Sequence, residues 1–316
     1  MTDIASIHDK FLRAILADRE VARDYFRSCL PLQVADLMDF STLTQLSDSY
    51  VSKALRQTFS DVVYACQTKD HTTQVRISLL LEHKSKPDKF TPVQLLSYIA
   101  SGHLRQIAQD RQLAPIIPIL LYHGSQPWKY RTLVTLFKAL KEELRPFVPD
   151  YDYVYHDLGE IPDEDLMRLE NKFLQASLLA LKYSQLKKEL VAWIPTILSL
   201  AMTTQQTLQS NLIIYTFGVS GLSEQEIGRI IEDVPVNLKT NVMNTLDIFV
   251  EKGKKIGLEE GRLEGRLEGI TKGRLEKTEK AVRNMISEGF PAEMISKILE
   301  VSPEFVERIR EELTGK

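Results

Sequence analysis

Two carboxylates and one ammonium, Asp61, Glu82 and Lys84, stand in a pattern that suits phosphoryl chemistry. Asp61 lies in TFSDVVYACQT (58–68), a run rich in β-formers, and Glu82 and Lys84 end a second such run, TQVRISLLLEHKS (73–85). Side chains alternate along a strand, so Glu82 and Lys84 share a face and His83 points away. If Asp61 pairs nearby on that face, two acids and a lysine converge at one end of a sheet. Hard oxygen ligands of this kind suit Mg²⁺ or Mn²⁺, with water and a substrate phosphate completing the octahedron. The lysine then orients or deprotonates the attacking water and stabilises charge developing on the phosphate. A D…ExK pattern alone is common by chance. Here it sits at the tip of a mostly apolar strand (Val75, Ile77, Leu79, Leu80, Leu81), which is how α/β sheets present their sites. The plainer alternative is that Glu82 and Lys84 begin a solvated loop and Asp61 is unrelated to them.

The elements that must position these residues follow from the spacing of apolar side chains. Residues 5–30 read as helix, with Phe11, Ile15, Leu16, Tyr25 and Phe26 at helical intervals and Pro31 as the stop. The two β-rich runs, joined through TKDH (68–71), predict an antiparallel hairpin, and Lys86-Pro87-Asp88 breaks the pattern. Helical spacing returns from Thr91 to Arg111. IIPILLYHG (116–124) is the almost wholly apolar run of a central buried strand, and YDYVYHDL (151–158) alternates as a further strand. This is an α/β layer architecture occupying residues 1–160. After Pro162 only helices are predicted, over Asp163 to Leu190, Trp193 to Met202 and the segments following Gly221 and Pro235. The expected divisions are the α/β core (1–160), a helical domain (161–250), a glycine-rich charged stretch (251–277) and a small helical segment (278–316).

That charged stretch carries Gly253, Gly257, Gly261, Gly265, Gly269 and Gly273 at four-residue intervals. Each interior glycine costs a helix about 1 kcal/mol relative to alanine. Yet Phe249, Ile256, Leu263 and Ile270 recur every seven residues, a partial heptad seam joined by Leu246 and Leu267. Two readings have nearly equal claim: a helix ordered by close approach of a partner helix, giving a homodimer or higher oligomer, or a flexible charged linker. The last segment has a helix-turn-helix pattern, with Ser302-Pro303 as a helix start. Its final helix carries Glu304, Glu307, Glu311 and Glu312 against Arg308 and Arg310, a poor face for phosphate, so a structural or protein-binding role is expected.

Bulk properties exclude little. The 316 residues are 43% hydrophobic and 26% charged, enough for a sizeable core, and the net charge of −3 argues against binding nucleic acid by overall basicity. A nuclease remains allowed, since its metal site must be locally acidic. The two cysteines, Cys29 and Cys66, form neither a disulfide framework nor a zinc motif and fit a reducing compartment. The N-terminus lacks the apolar core of a secretory signal, and the apolar stretch Leu190 to Met202 is too short to span a bilayer. No membrane association is expected, and the cytosol is the default location.

Four ordered motifs carry a resemblance: HDKF (8–11), FSDVVY (59–64), LLLEHKSKPD (79–88) and IPILLYHG (117–124). Together they resemble the recombination-promoting nucleases called Rpn, also known as YhgA-like putative transposases, over residues 5–160. The EGRLEGRLEG stretch (260–269) is similar to the C-termini of that family. The resemblance implies a PD-(D/E)xK (restriction-endonuclease-like) core followed by an all-helical C-terminal part. It also implies divalent-metal-dependent cutting of DNA that favours DNA exchange in bacteria. By position, Asp61 and Glu82 become the metal-binding acids and Lys84 the catalytic base or stabiliser, where many relatives carry Gln. Asp9 becomes an accessory acid. Gln94 becomes a contact to metal-bound water or phosphate, although the arginine that many relatives carry near it is absent.

Other polar residues have plainer readings. Tyr122 and His123 fit a capped turn better than a cleft lining, Trp128 a packing anchor, and His8 either a helix start or a substrate contact. The leading expectation is a Mg²⁺-dependent endonuclease hydrolysing DNA phosphodiesters, in recombination, mobile-element or defence functions. The competing one is a catalytically inactive nuclease fold that binds DNA or a protein.

Overall fold

The computed structural model describes residues 4–46, 59–82, 87–202 and 205–314. Helices α1 (Ile4–Leu16), α2 (Arg19–Cys29) and α3 (Leu32–Leu37) lead into strand β1 (Met38–Leu46), followed by β2 (Phe59–Thr68) and β3 (Gln74–Glu82). Then come α4 (Thr91–Ala108), β4 (Ile116–Tyr122), two short 3₁₀ turns and β5 (Val154–Asp157). The rest is helical: α5 (Asp163–Met167), α6 (Lys172–Lys182), α7 (Lys187–Ala201), α8 (Gln206–Ser220), α9 (Glu224–Asp233), α10 (Val236–Ser287), α11 (Ala292–Leu299) and α12 (Pro303–Thr314). No helix among the described residues is long and apolar enough to cross a membrane.

The five strands lie side by side in chain order. β1–β2 and β2–β3 are antiparallel, whereas β3–β4 and β4–β5 are parallel. The expected hairpin is present, and its turn places His71 in the left-handed region at φ 56°. Alternation divides the sheet's residues between two layers. Val62, Tyr64, Ile77, Ile119 and Leu121 pack with α1, α2 and the helices α6–α8 in the main core. Val63, Leu120 and Tyr122 pack on the other face with Leu95 and Tyr98 of α4 and with Trp128. Helices α7 to α10 close a further cluster around Ile194, Ile213, Phe217 and Leu238.

Several predicted boundaries are corrected. The single helix over 5–30 is two helices, because Asp18 turns its carboxylate onto the backbone N–H groups of Glu20 and Val21 and caps a new start. The helix expected from Asp163 to Leu190 is likewise broken into α5, α6 and the start of α7. Asn171 caps α6 through the Leu174 N–H. No break separates Leu190 from Trp193, since α7 runs through both with Pro195 inside it. The strand β1 was not predicted, and β4 is interior but next to the edge strand rather than central.

The chain forms two compact units, Met1–Leu246 and Asp247–Lys316. In the second, the end of α10 joins α11 and α12 around Val282, Ile295, Val306 and Ile309. Arg283 pairs there with Glu312, and Arg308 with Glu279 at 3.5 Å. The glycine-rich stretch is helical within α10, and a Cβ added at any of its six glycines would meet nothing within 4 Å.

Candidate active site

Strand direction decides what meets at the candidate site. β2 runs against β3, and β3, β4 and β5 run together, so the start of β2 and the ends of the other three share one end of the sheet. At that end Phe59 pairs with Glu82, Asp61 with Leu80, and Tyr122 with Asp157. Directly opposed residues share a face, and so do residues two apart. Positions 61 and 82 are therefore diagonal neighbours on one face, with backbones about 7–8 Å apart. It is the face of Val63, which α4 covers. Lys84, with His83, lies outside the described residues.

Helix α4 starts beside this end through Asp88, whose carboxylate accepts the Phe90 N–H (2.9 Å) and whose carbonyl accepts the Thr91 hydroxyl (2.8 Å). Gln94 follows one turn later. Its Nε2 donates to Asp88 (3.3 Å), while its Oε1 is buried without a hydrogen-bond partner. A buried carbonyl oxygen left unsatisfied is costly and marks a position where a water or ligand group fits. Gln94 thus belongs to the layer on the face of Asp61 and Glu82. Asp9 does not: α1 packs on the opposite face, and Asp9 pairs with Arg13 at 2.8 Å.

One acid at this end was not singled out by sequence. Asp157 stands across from Tyr122 and is buried. Burial raises its carboxyl above the ordinary range. Both its oxygens are engaged, by the Tyr155 hydroxyl and the Gly159 N–H at 2.9 Å each, so it secures the end of β5. Its place at the end of the alternating run 151–158 was the available signal.

The motifs around β4 are structural. The Tyr122 hydroxyl donates to the Gln126 carbonyl (2.7 Å) and closes a turn in which Gly124 lies under the tyrosine ring. A Cβ at Gly124 would come within 2.2 Å of that hydroxyl oxygen. Trp128 packs edge-on against Tyr122 at 4.9 Å. His123 is buried, with Nδ1 3.2 Å from the Ser184 hydroxyl and its ring 4.5 Å from that of His8. His8 in turn bonds the Tyr215 hydroxyl (2.7 Å), and Phe11 stacks on the same tyrosine at 3.9 Å. The HDKF segment therefore locks α1 to α8 and to the end of β4. No group of three His, Cys, Asp or Glu side chains suited to a metal occurs among the described residues.

Comparison with known proteins fits this picture. The model of a family described as "Putative transposase, YhgA-like" matches residues 6–211. The recombination-promoting nuclease RpnC of Escherichia coli strain K12 is 28% identical over 162 residues, 51% of this chain and 53% of that protein. RpnD of E. coli O157:H7, also named a recombination-promoting nuclease, is 28% identical over 51% of this chain and 62% of its own. The chain thus spans little more than half the length of these relatives. A longer match, 24% identical over 92% of this chain and 93% of the relative, is to the inactive recombination-promoting nuclease-like protein RpnE of strain K12. No solved structure matches.

Proposed function

Because this chain belongs to the YhgA-like putative transposase family, we propose that it is a divalent-metal-dependent DNA endonuclease with a PD-(D/E)xK core. The observation that carries this reading is the placement of positions 61 and 82 on one face at one end of the sheet, inside the matched region. The nuclease names of RpnC and RpnD support it, as does the antiparallel pair followed by parallel strands that sets positions 61 and 82 at the same end of the sheet.

The donor set fits Mg²⁺ or Mn²⁺: two carboxylates from Asp61 and Glu82, with the unpartnered amide oxygen of Gln94 on the adjacent layer. Such an ion lowers the pKa of a water and neutralises charge on a phosphodiester. Asp61 and Glu82 would hold the ion, Gln94 would accept a hydrogen bond from water beside it, and Lys84 would orient the attacking water and offset the negative charge that grows on the phosphate. Asp9, paired with Arg13 on the other layer, is assigned at most an accessory part. The biological setting of the reaction is recombination, mobile-element transfer or defence.

A second reading, an inactive nuclease fold that binds DNA or protein, is favoured by the match to RpnE along almost the whole chain. Cleavage of supercoiled plasmid separates the two. The wild-type protein should nick it with Mg²⁺ or Mn²⁺ and not with EDTA. Asp61→Ala and Lys84→Ala should each lower the rate about a hundredfold or more. Equal inertness of all three across metals and DNA forms would establish the binding module, and equal cutting by all three would remove the assigned site.

A further inference from the structure

Beside α4, the sheet face that carries positions 61 and 82 opens into a cavity of about 490 Å³. Strands β1, β2 and β3 line it through Thr44, Gln67, Gln74 and Arg76, and Arg111 joins them from beyond α4. No acidic residue lines it among the described residues. Arg76 is only 5% exposed, yet its Nε has no hydrogen-bond partner and no ion pair is formed by its guanidinium among the described residues. Its position is set by the sheet: it pairs with Ala65 and Ile116, and its backbone N–H donates to the Pro115 carbonyl at 2.8 Å. A buried guanidinium without a counter-charge is strongly disfavoured unless a ligand supplies one.

We infer that this cavity is an anion site in which Arg76 and Arg111 hold a backbone phosphate of bound DNA. Guanidinium forks match phosphate oxygens bidentately, and amide and hydroxyl groups such as Gln67, Gln74 and Thr44 complete the shell of donors. Position 76 stands six residues before position 82 on the same strand and the same face, about 20 Å away. That is about six base-pair steps of a duplex. The contact therefore falls on a phosphate well removed from the one cleaved and serves register rather than chemistry. The inference rests on the nuclease reading for the identity of its ligand, since the cavity itself selects only for phosphate.

The test is fluorescence anisotropy of the full chain with a labelled 30-base-pair duplex across a salt series, in EDTA and again in Ca²⁺, beside melting temperatures with and without inorganic phosphate. Arg76→Met should weaken binding about tenfold and reduce the slope of log affinity against log salt by about one, and Arg111→Ala should act in the same direction. The melting temperature of Arg76→Met without ligand should not fall, because the charge removed has no ion-pair partner among the described residues. Inorganic phosphate should raise the melting temperature of the wild type and not of Arg76→Met. A lower melting temperature with unchanged affinity and slope would make Arg76 a structural residue and overturn the site. Protection by inorganic phosphate with unchanged DNA binding would overturn the DNA assignment in favour of a free phosphate. Wild-type protein that binds no DNA in either buffer would remove the nuclease reading as well, whereas tight binding with unaltered variants removes only the phosphate site.

Discussion

His156 on β5 is partly buried, with Nδ1 3.1 Å from the Tyr25 hydroxyl, and burial drives its pKa down to about 4 from 6.5. The folded chain therefore keeps it neutral where the unfolded chain would protonate it. Its contribution is intact above pH 6.5 and is lost as the pH falls toward 4, about 2 kcal/mol by pH 5 and roughly 3 in full. Urea unfolding at pH 7 and pH 5 should show this loss in the wild type and a correspondingly smaller one in His156→Phe. An equal loss in both would show that other groups set the acid limit. Residues differ in how far the sequence announces them. The placement of positions 61 and 82 at one end of the sheet was legible because two β-rich runs flanking a short turn fix their register to within a residue. Arg76 was not, since an arginine in a polar-apolar alternation reads as solvent-facing. Its burial depends on the 111–116 connection, which no local pattern places over β3. Asp157 was hidden for a similar reason, its partners being a tyrosine two residues back and a glycine turn.

At the level of elements, the hairpin, α4 and the apolar β4 were legible from periodicity, whereas β1 was not. In MDFSTLTQL only Met38, Phe40 and Leu43 are buried, and the register shift between Asp39 and Thr44 breaks the period of two that marks a strand. The division of the first helix was equally hidden, because Ala17-Asp18 carries neither glycine nor proline. Asp18→Ala should cost about 1 kcal/mol by removing the cap of α2, measurable by urea unfolding. Glu300, which ends α11 with a left-handed backbone at φ 53°, should give the opposite sign. Glu300→Gly relieves that conformation and should stabilise the C-terminal unit by about 1 kcal/mol, read as a higher melting temperature. Along α10, alanine at Gly257, Gly261, Gly265 and Gly269 meets open space within the chain and should raise helicity by about 1 kcal/mol per site. Sedimentation velocity on the same variant tests the expected self-association. A tighter assembly would show that no close-approach surface runs along these glycines, and a weaker one that it does.

Across the whole molecule, the helices after the sheet are not an appendage to it. Phe173, Leu174, Leu178, Leu181 and Leu212 share one core with Ile15, Phe26, Ile77 and Ile119. Ending the chain at residue 160 should therefore yield insoluble protein, while ending it at residue 250 should leave a unit with a cooperative melt close to that of the full chain. A soluble, cooperatively melting 1–160 fragment would contradict the shared core. The consequence reaches back to synthesis. Because the strands stand in the order in which they leave the ribosome, each one after the first meets a partner already made. Positions 61 and 82 can be aligned as soon as the hairpin forms, whereas α6 to α8, which complete the layer that α1 and α2 begin on the far side of the sheet, start only at residue 172. The nascent chain thus acquires the strand ends that carry these positions before its core is complete, and in that interval Ile77, Ile119 and Leu121 have only α1 and α2 to pack against.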